Sequence, residues 1–159
     1  SRILAKYYGF NVTGITISPA QVKRAKELTP FGLNCNFQVM DALDLKFEDG
    51  SFDAVWSVEA GAHMNDKVKF ADEMLRTLRP GGYLALADWN SRDLSAYPPS
   101  LFEKWVLKQL LEQWVHPNFI SIKEFGNILR TNKNSSGRVI SANWNSYTNP
   151  SWYDSIFQK

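Results

Sequence analysis

Cysteine is nearly absent from this sequence. Cys35 stands alone, so neither a disulfide framework nor a cysteine-ligated metal cluster can be built from it. No apolar run approaches the roughly 18 residues of a spanning helix, and no stretch reads as a secretory leader. Neither sign of charge dominates. The net charge is +2 with the basic residues scattered, which argues against a nucleic-acid stripe or a polybasic membrane anchor. Internal repeats and low-complexity tracts are missing. So is a Gly-x-Gly-x-x-Gly loop, which argues against a dinucleotide-dependent dehydrogenase. The single cysteine fits a reducing compartment, cytoplasmic in the first instance; a plastid or a peripheral membrane position is compatible.

What is present suits one domain. The chain has 159 residues, 44% hydrophobic and 21% charged, as expected of a globular protein with one core. Six tryptophans contribute to an aromatic share of 14%. Several crowd the second half, where they would form a flat or apolar acceptor surface or simply pack.

Patterning then gives an order of elements. Residues 1–8 read as a helix with Gly9 as its left-handed stop. Asn11 to Ile17 reads as a strand. Ser18 and Pro19 open a helix, with Gln21 completing a capping box, that runs to about Leu28. Asn36 to Met40 is a short strand, and Phe52 to Val58 a buried strand of the parallel kind. Asp66 caps a helix with Val68, Ala71, Leu75 and Leu78 on one face. Pro80-Gly81-Gly82 ends it and turns into a strand from Tyr83 to Asp88. Beyond Asn90 come a polar loop and a helix at 101–115. That helix carries Val106, Leu107, Leu110, Leu111 and Trp114 on its apolar face and Trp105 on the polar one. A helix at 121–130 and a late strand at 138–144 follow. Strand–helix–strand alternation of this kind predicts an α/β fold, a doubly wound parallel sheet. Residues 1–90 would be its Rossmann-like cofactor-binding core, and 91–159 the acceptor-binding or lid helices and late strand of the same domain.

Ligands of open parallel sheets bind beyond the carboxyl ends of the strands. Thr16, Ile17, Ser18 and Gln21 follow the first strand. Their side chains can hydrogen-bond two ribose hydroxyls without charge, or Ser18 and Gln21 can serve only as a cap. Asp41 and Ala42 follow the second. A carboxylate there can accept from an exocyclic amine while the next N–H donates to a ring nitrogen, or it can cap a turn. Ser57, Val58 and Glu59 lead into a small-residue loop ending at His63 and Met64. Glu59 and His63 supply a carboxylate and an imidazole, as base and positioning group or as structural hydrogen-bonding residues.

As an ordered set these segments resemble class I S-adenosylmethionine-dependent methyltransferases. The stretches are Gly14–Gln21 (GITISPAQ), Gln38–Ser57 (QVMDALDLKFEDGSFDAVWS) and Leu75–Trp89 (LRTLRPGGYLALADW). The Thr-x-Ser-x-x-Gln variant is similar to the tocopherol C-methyltransferase group and its relatives, including cyclopropane-fatty-acid-type enzymes. Ser57–Lys67 (SVEAGAHMNDK), Trp114–Phe119 (WVHPNF) and Tyr147–Ile156 (YTNPSWYDSI) resemble the tocopherol group most.

The resemblance implies S-adenosyl-L-methionine as cofactor. Thr16, Ile17, Ser18 and Gln21 would lie on its ribose side and Asp41 and Ala42 at its adenine. Ser57 and Val58 would lie at the methionine end, with Glu59 and His63 as catalytic candidates and no metal. The acceptor would be a small phenol of the tocopherol kind, methylated on carbon. A lipid-like acceptor would add peripheral membrane contact; nucleic acid is not expected. An amine, sugar, sterol or lipid-alkene acceptor, or a non-catalytic fragment, stays open. The family's Asp/Glu-x-Gly-x-Gly loop and its strand, central between the strands at Asn11–Ile17 and Phe52–Val58, are not found here, nor is its last strand. The expectation is therefore a fragment truncated at both ends, whose 159 residues alone bind the cofactor poorly. Micromolar binding by titration calorimetry would refute that.

Overall fold

A computed structural model describes residues 1–113 and 116–144. Its elements follow the expected order. Helix α1 (Arg2–Tyr8) stops at Gly9, whose φ of 71° is the left-handed conformation glycine adopts without strain. Strand β1 (Val12–Thr16) leads into α2 (Pro19–Glu27), then come β2 (Cys35–Val39) and β3 (Phe52–Val58). A 3-10 turn at Gly61–His63 precedes α3 (Lys67–Thr77) and β4 (Leu78–Ala87); α4 (Leu101–Gln113) and α5 (Ile122–Thr131) follow.

The strands pair in parallel, as an α/β fold requires, but in two separate sheets. β1 pairs with β2 from Val12 opposite Cys35 to Thr16 opposite Val39. β3 pairs with β4 through Val58 opposite Ala87. Among the described residues no ladder joins β1 to β3, in keeping with a strand position between them.

Three readings need correction. The buried face of α3 is Phe70, Ala71, Met74 and Thr77, while Val68 stays 53% exposed. Thr77 can occupy the core because its hydroxyl reaches the Glu73 and Met74 carbonyls at 3.0 and 3.3 Å, which satisfies its polar atom within the helix. β4 begins at Leu78, opposite Phe52, and Arg79–Gly82 bulge out before pairing resumes at Tyr83 opposite Ala54. Gly81 takes φ 79° in that bulge. Residues 138–144 form no strand. Ser141 lies close to Gly126 of α5, and the segment pairs with neither sheet, without which a lone strand has no partners.

The second half packs more loosely. None of the described α4 residues is fully buried; Leu107 and Leu111 are half-buried, whereas Val106 and Leu110 are exposed. Trp105 is exposed, as its place on the polar side implies. Ser121 caps α5 by accepting from Glu124 N–H at 3.1 Å. A parallel bridge between Ser91 and Ser121 ties the chain after β4 to the start of α5. The described residues include no helix long and apolar enough to cross a membrane. Trp114 and the segment from Tyr147 to Ile156 lie outside the described residues.

Candidate active site

The first group of predicted residues forms a rim at the carboxyl ends of β1 and β2. Met40 N–H donates to the Thr16 carbonyl at 3.0 Å, which sets the two strand ends side by side. Thr16 organises the turn into α2. Its hydroxyl donates to Gln21 Oε1 at 2.6 Å and accepts from Ser18 N–H at 3.2 Å. Ser18 in turn accepts from Gln21 N–H at 3.3 Å. The capping box is thus half made: the Gln21 side chain holds Thr16 instead of returning to the Ser18 backbone. Capping and presentation of polar atoms coexist. Ile17 is 73% exposed at the same rim.

Asp41 takes the turn-capping role in part. Its Oδ1 accepts from Leu43 N–H at 2.8 Å. Its other carboxylate oxygen and the Ala42 N–H make no hydrogen bond among the described residues. One acceptor and one neighbouring donor are what the edge of an adenine ring requires. The donor set at this rim therefore fits the adenosine half of S-adenosylmethionine.

The second group lies beyond β3 and β4. Ser57 and Val58 are held in the ladder opposite Leu86 and Ala87. Glu59 leaves it with φ 54°, a left-handed conformation that a non-glycine residue adopts at a cost, while its N–H still donates to Ala87 O at 2.8 Å. This kink sends the chain into the 3-10 turn that carries His63. A Cβ at Gly61 would come within 2.2 Å of Asp88 Oδ2 and 3.0 Å of Phe70 Cε1, so a side chain there would displace its neighbours.

Lys67 secures the same turn. Its ammonium donates to the carbonyls of Gly61, Ala62 and Met64 at 2.7, 2.9 and 2.5 Å. A cation in the first turn of a helix opposes the helix dipole; three carbonyl acceptors offset that here. Burial pulls the Lys67 ammonium below its usual range, and the Asp88 carboxylate opposes the shift.

Glu59, Ala62, His63, Trp89, Leu110, His116 and Phe119 enclose a cavity of about 140 Å³. The Trp89 indole N–H donates to Glu59 Oε1 at 3.2 Å. The His63 and His116 rings are 4.5 Å apart, and His116 stacks on Phe119 at 4.5 Å. Glu59 and His63 are thus brought together. None of Thr16, Ile17, Ser18, Gln21, Asp41, Ala42, Ser57 or Val58 lines this cavity. The rim residues form a second cluster at the other sheet. Trp89, His116 and Phe119 were not singled out from the sequence as site residues. The one signal for the last two was their place in the stretch Trp114–Phe119.

The profile of the methyltransferase domain family matches residues 1–86. A 2-methyl-6-phytyl-1,4-hydroquinone methyltransferase of Synechocystis sp. is 57% identical over 99% of the chain, which covers 50% of that protein. A chloroplastic tocopherol O-methyltransferase of Arabidopsis thaliana is 39% identical over 96% of the chain and 44% of its own length. The chain thus spans about half the length of these curated relatives. A geranyl diphosphate C-methyltransferase of Streptomyces coelicolor, solved with Mg2+, geranyl diphosphate and S-adenosyl-L-homocysteine, superposes with a TM-score of 0.62. It is 27% identical over 82% of this chain and 46% of its own.

Proposed function

This chain belongs to the methyltransferase domain family, and from that premise we propose that it transfers a methyl group from S-adenosylmethionine to a ring carbon of a hydroquinone bearing a long apolar tail. The aromatic-lined cavity behind Glu59 and His63 carries this reading. Its indole, phenyl and imidazole walls suit a flat ring with a polar edge. The Synechocystis relative, named for a phytyl hydroquinone, supports the same acceptor class.

S-adenosylmethionine supplies an electrophilic methyl group on a positively charged sulfur. Thr16, Ile17, Ser18 and Gln21 hold the ribose side, Asp41 and Ala42 the adenine, and Ser57 and Val58 approach the amino-acid end. His63 accepts the phenolic proton, which makes the ring carbon nucleophilic. Glu59 fixes the Trp89 indole as a wall of the acceptor site. Because the cavity draws Glu59, Ala62, His63 and Trp89 from residues 1–90 and Leu110, His116 and Phe119 from the rest, the first segment serves the cofactor and the second closes over the acceptor. An acceptor with a lipid-like tail would be met at a membrane surface; the Arabidopsis relative is chloroplastic by name.

The test is methyl transfer by the full-length protein from labelled S-adenosylmethionine to a phytylated hydroquinone, with the product read by NMR. Methyl on a ring carbon is expected. Methyl on oxygen, or preference for an amine acceptor, would overturn the proposal.

A further inference from the structure

We propose that His116 is a second catalytic imidazole, paired with His63 and taking the proton that the acceptor's ring carbon loses. The inference rests on the hydroquinone reading above. The sequence contains two histidines, far apart in the chain, and the fold sets their rings 4.5 Å apart with a 47° tilt on one cavity wall.

Each ring is placed differently. His116 Nδ1 lies 3.0 Å from the Pro117 carbonyl oxygen. A carbonyl oxygen only accepts, so the hydrogen sits on Nδ1 and the neutral ring keeps its lone pair on Nε2. Stacking on Phe119 at 26° sets the ring plane, and the His116 N–H donates to Leu111 O at 2.9 Å, anchoring the residue to the end of α4. The His63 ring nitrogens make no hydrogen bond among the described residues. His116 spends one ring nitrogen, Nδ1, on the fold, and the exposed His63 spends neither. This pair leaves polar atoms for a ligand.

Carbon methylation of a phenol moves two protons, and the two imidazoles would divide them. The O–H bond breaks, its electron pair stays on oxygen and its proton goes to His63. The ring carbon bonds the methyl group with the pair pushed in from that oxygen, and the pair of the old methyl–sulfur bond stays on sulfur. The carbon then holds both methyl and hydrogen. Its C–H bond breaks, the pair restores the aromatic ring, and the proton goes to His116 Nε2. His63 returns its proton to oxygen, and His116 releases one proton to water. A single imidazole would have to take both protons, one from the oxygen and one from the neighbouring ring carbon, within one turnover.

The test compares H63F and H116F in the full-length protein, each of which keeps a flat ring in place and removes the nitrogens. H116F is expected to lose roughly 100-fold in kcat. It should also show a primary isotope effect with ring-deuterated hydroquinone that is larger than in the parent. H63F should lose turnover without that enlarged effect. Added imidazole should restore part of the activity of H116A. In the absence of S-adenosylmethionine, hydroquinone should shift both imidazole Cε1–H resonances in the parent protein. Unchanged kcat and isotope effect in H116F overturn the pair while leaving methyl transfer intact. Hydroquinone bound without shifting the His116 resonance overturns it regardless of turnover. Absence of transfer to any hydroquinone by the parent overturns the function itself, and the pair with it.

Discussion

The rim at β1–β2 and the cavity beyond β3 are built by contacts of different reach. At the rim each decisive side-chain bond spans a few residues: Thr16 to Gln21, Ser18 to Gln21, Asp41 to Leu43. At the cavity the partners come from distant elements: Trp89 with Glu59, His116 with His63, and Asp88 against Gly61. A short-range contact closes at little entropic cost and can be spelled by one motif. A long-range contact exists only when the elements between have folded. Rim substitutions should therefore be felt by the ligand alone, and cavity substitutions by ligand and fold together.

Gly61→Val tests the cavity half and should have the largest effect. The new side chain would meet the Phe70 ring, held on α3, and the Asp88 carboxylate just beyond β4. The expected loss is about 3 kcal/mol, at the upper end of the overpacking range. It should be seen as a lower urea midpoint together with collapsed methyl transfer. Lost turnover with full stability would mean that the turn yields locally, and the contrast with the rim would fail.

Arg76 ties the loop that leaves the rim to α3, so Arg76→Met should release it. From α3 its guanidinium donates to the carbonyls of Leu45 and Phe47 at 2.9 and 2.8 Å, to Asp49 at 2.7 Å and to Glu73 at 2.8 and 2.9 Å. Glu73 in turn accepts from Leu45 N–H at 2.7 Å. The loop leaving the rim is thereby clamped onto α3. Losing the clamp should cost about 2 kcal/mol. Arg76→Lys should not restore it, since an ammonium cannot reproduce the planar fork.

The same clamp sets a pH dependence. The hydrogen bond from Arg76, with help from Leu45 N–H, holds the Glu73 carboxyl below its ordinary value of 4.5, against the opposing effect of burial. The unfolded chain then binds the proton more readily, so this contribution to stability is present above about pH 4.5 and is lost as pH falls further. Glu73→Gln should flatten that acid limb in urea titrations on either side of pH 4.5. An unchanged slope would show that the clamp does not depend on the charge of Glu73.

The same difference in reach explains what the sequence disclosed. The order of elements, the Ser18 and Asp66 caps and the left-handed Gly9 were readable because each is written in a few adjacent residues. The buried face of α3 was misjudged because Thr77, polar by type, enters the core by bonding its own helix. The strand expected at 138–144 had suitable residues but joins neither sheet. At the site, Glu59 and His63 were legible as polar residues in a small-residue loop. Trp89 and His116 were not, since their meaning depends on what they face across the cavity.

The smallest effect belongs to the rim. Thr16→Val keeps the β-branched shape of a strand residue and removes the hydroxyl that joins Ser18 N–H to Gln21. Gln21 would then be free to rotate away from the proposed ribose position while the Ser18 cap on α2 remains, because that cap uses Ser18 Oγ and Gln21 N–H alone. One hydrogen bond of about 1 kcal/mol corresponds to roughly a fivefold rise in KM for S-adenosylmethionine. Turnover at saturating cofactor and the unfolding midpoint should hardly move. A fall in stability comparable to that of Gly61→Val would show that Thr16 supports the fold as deeply as the cavity residues do, and that the rim is no more local than the cavity.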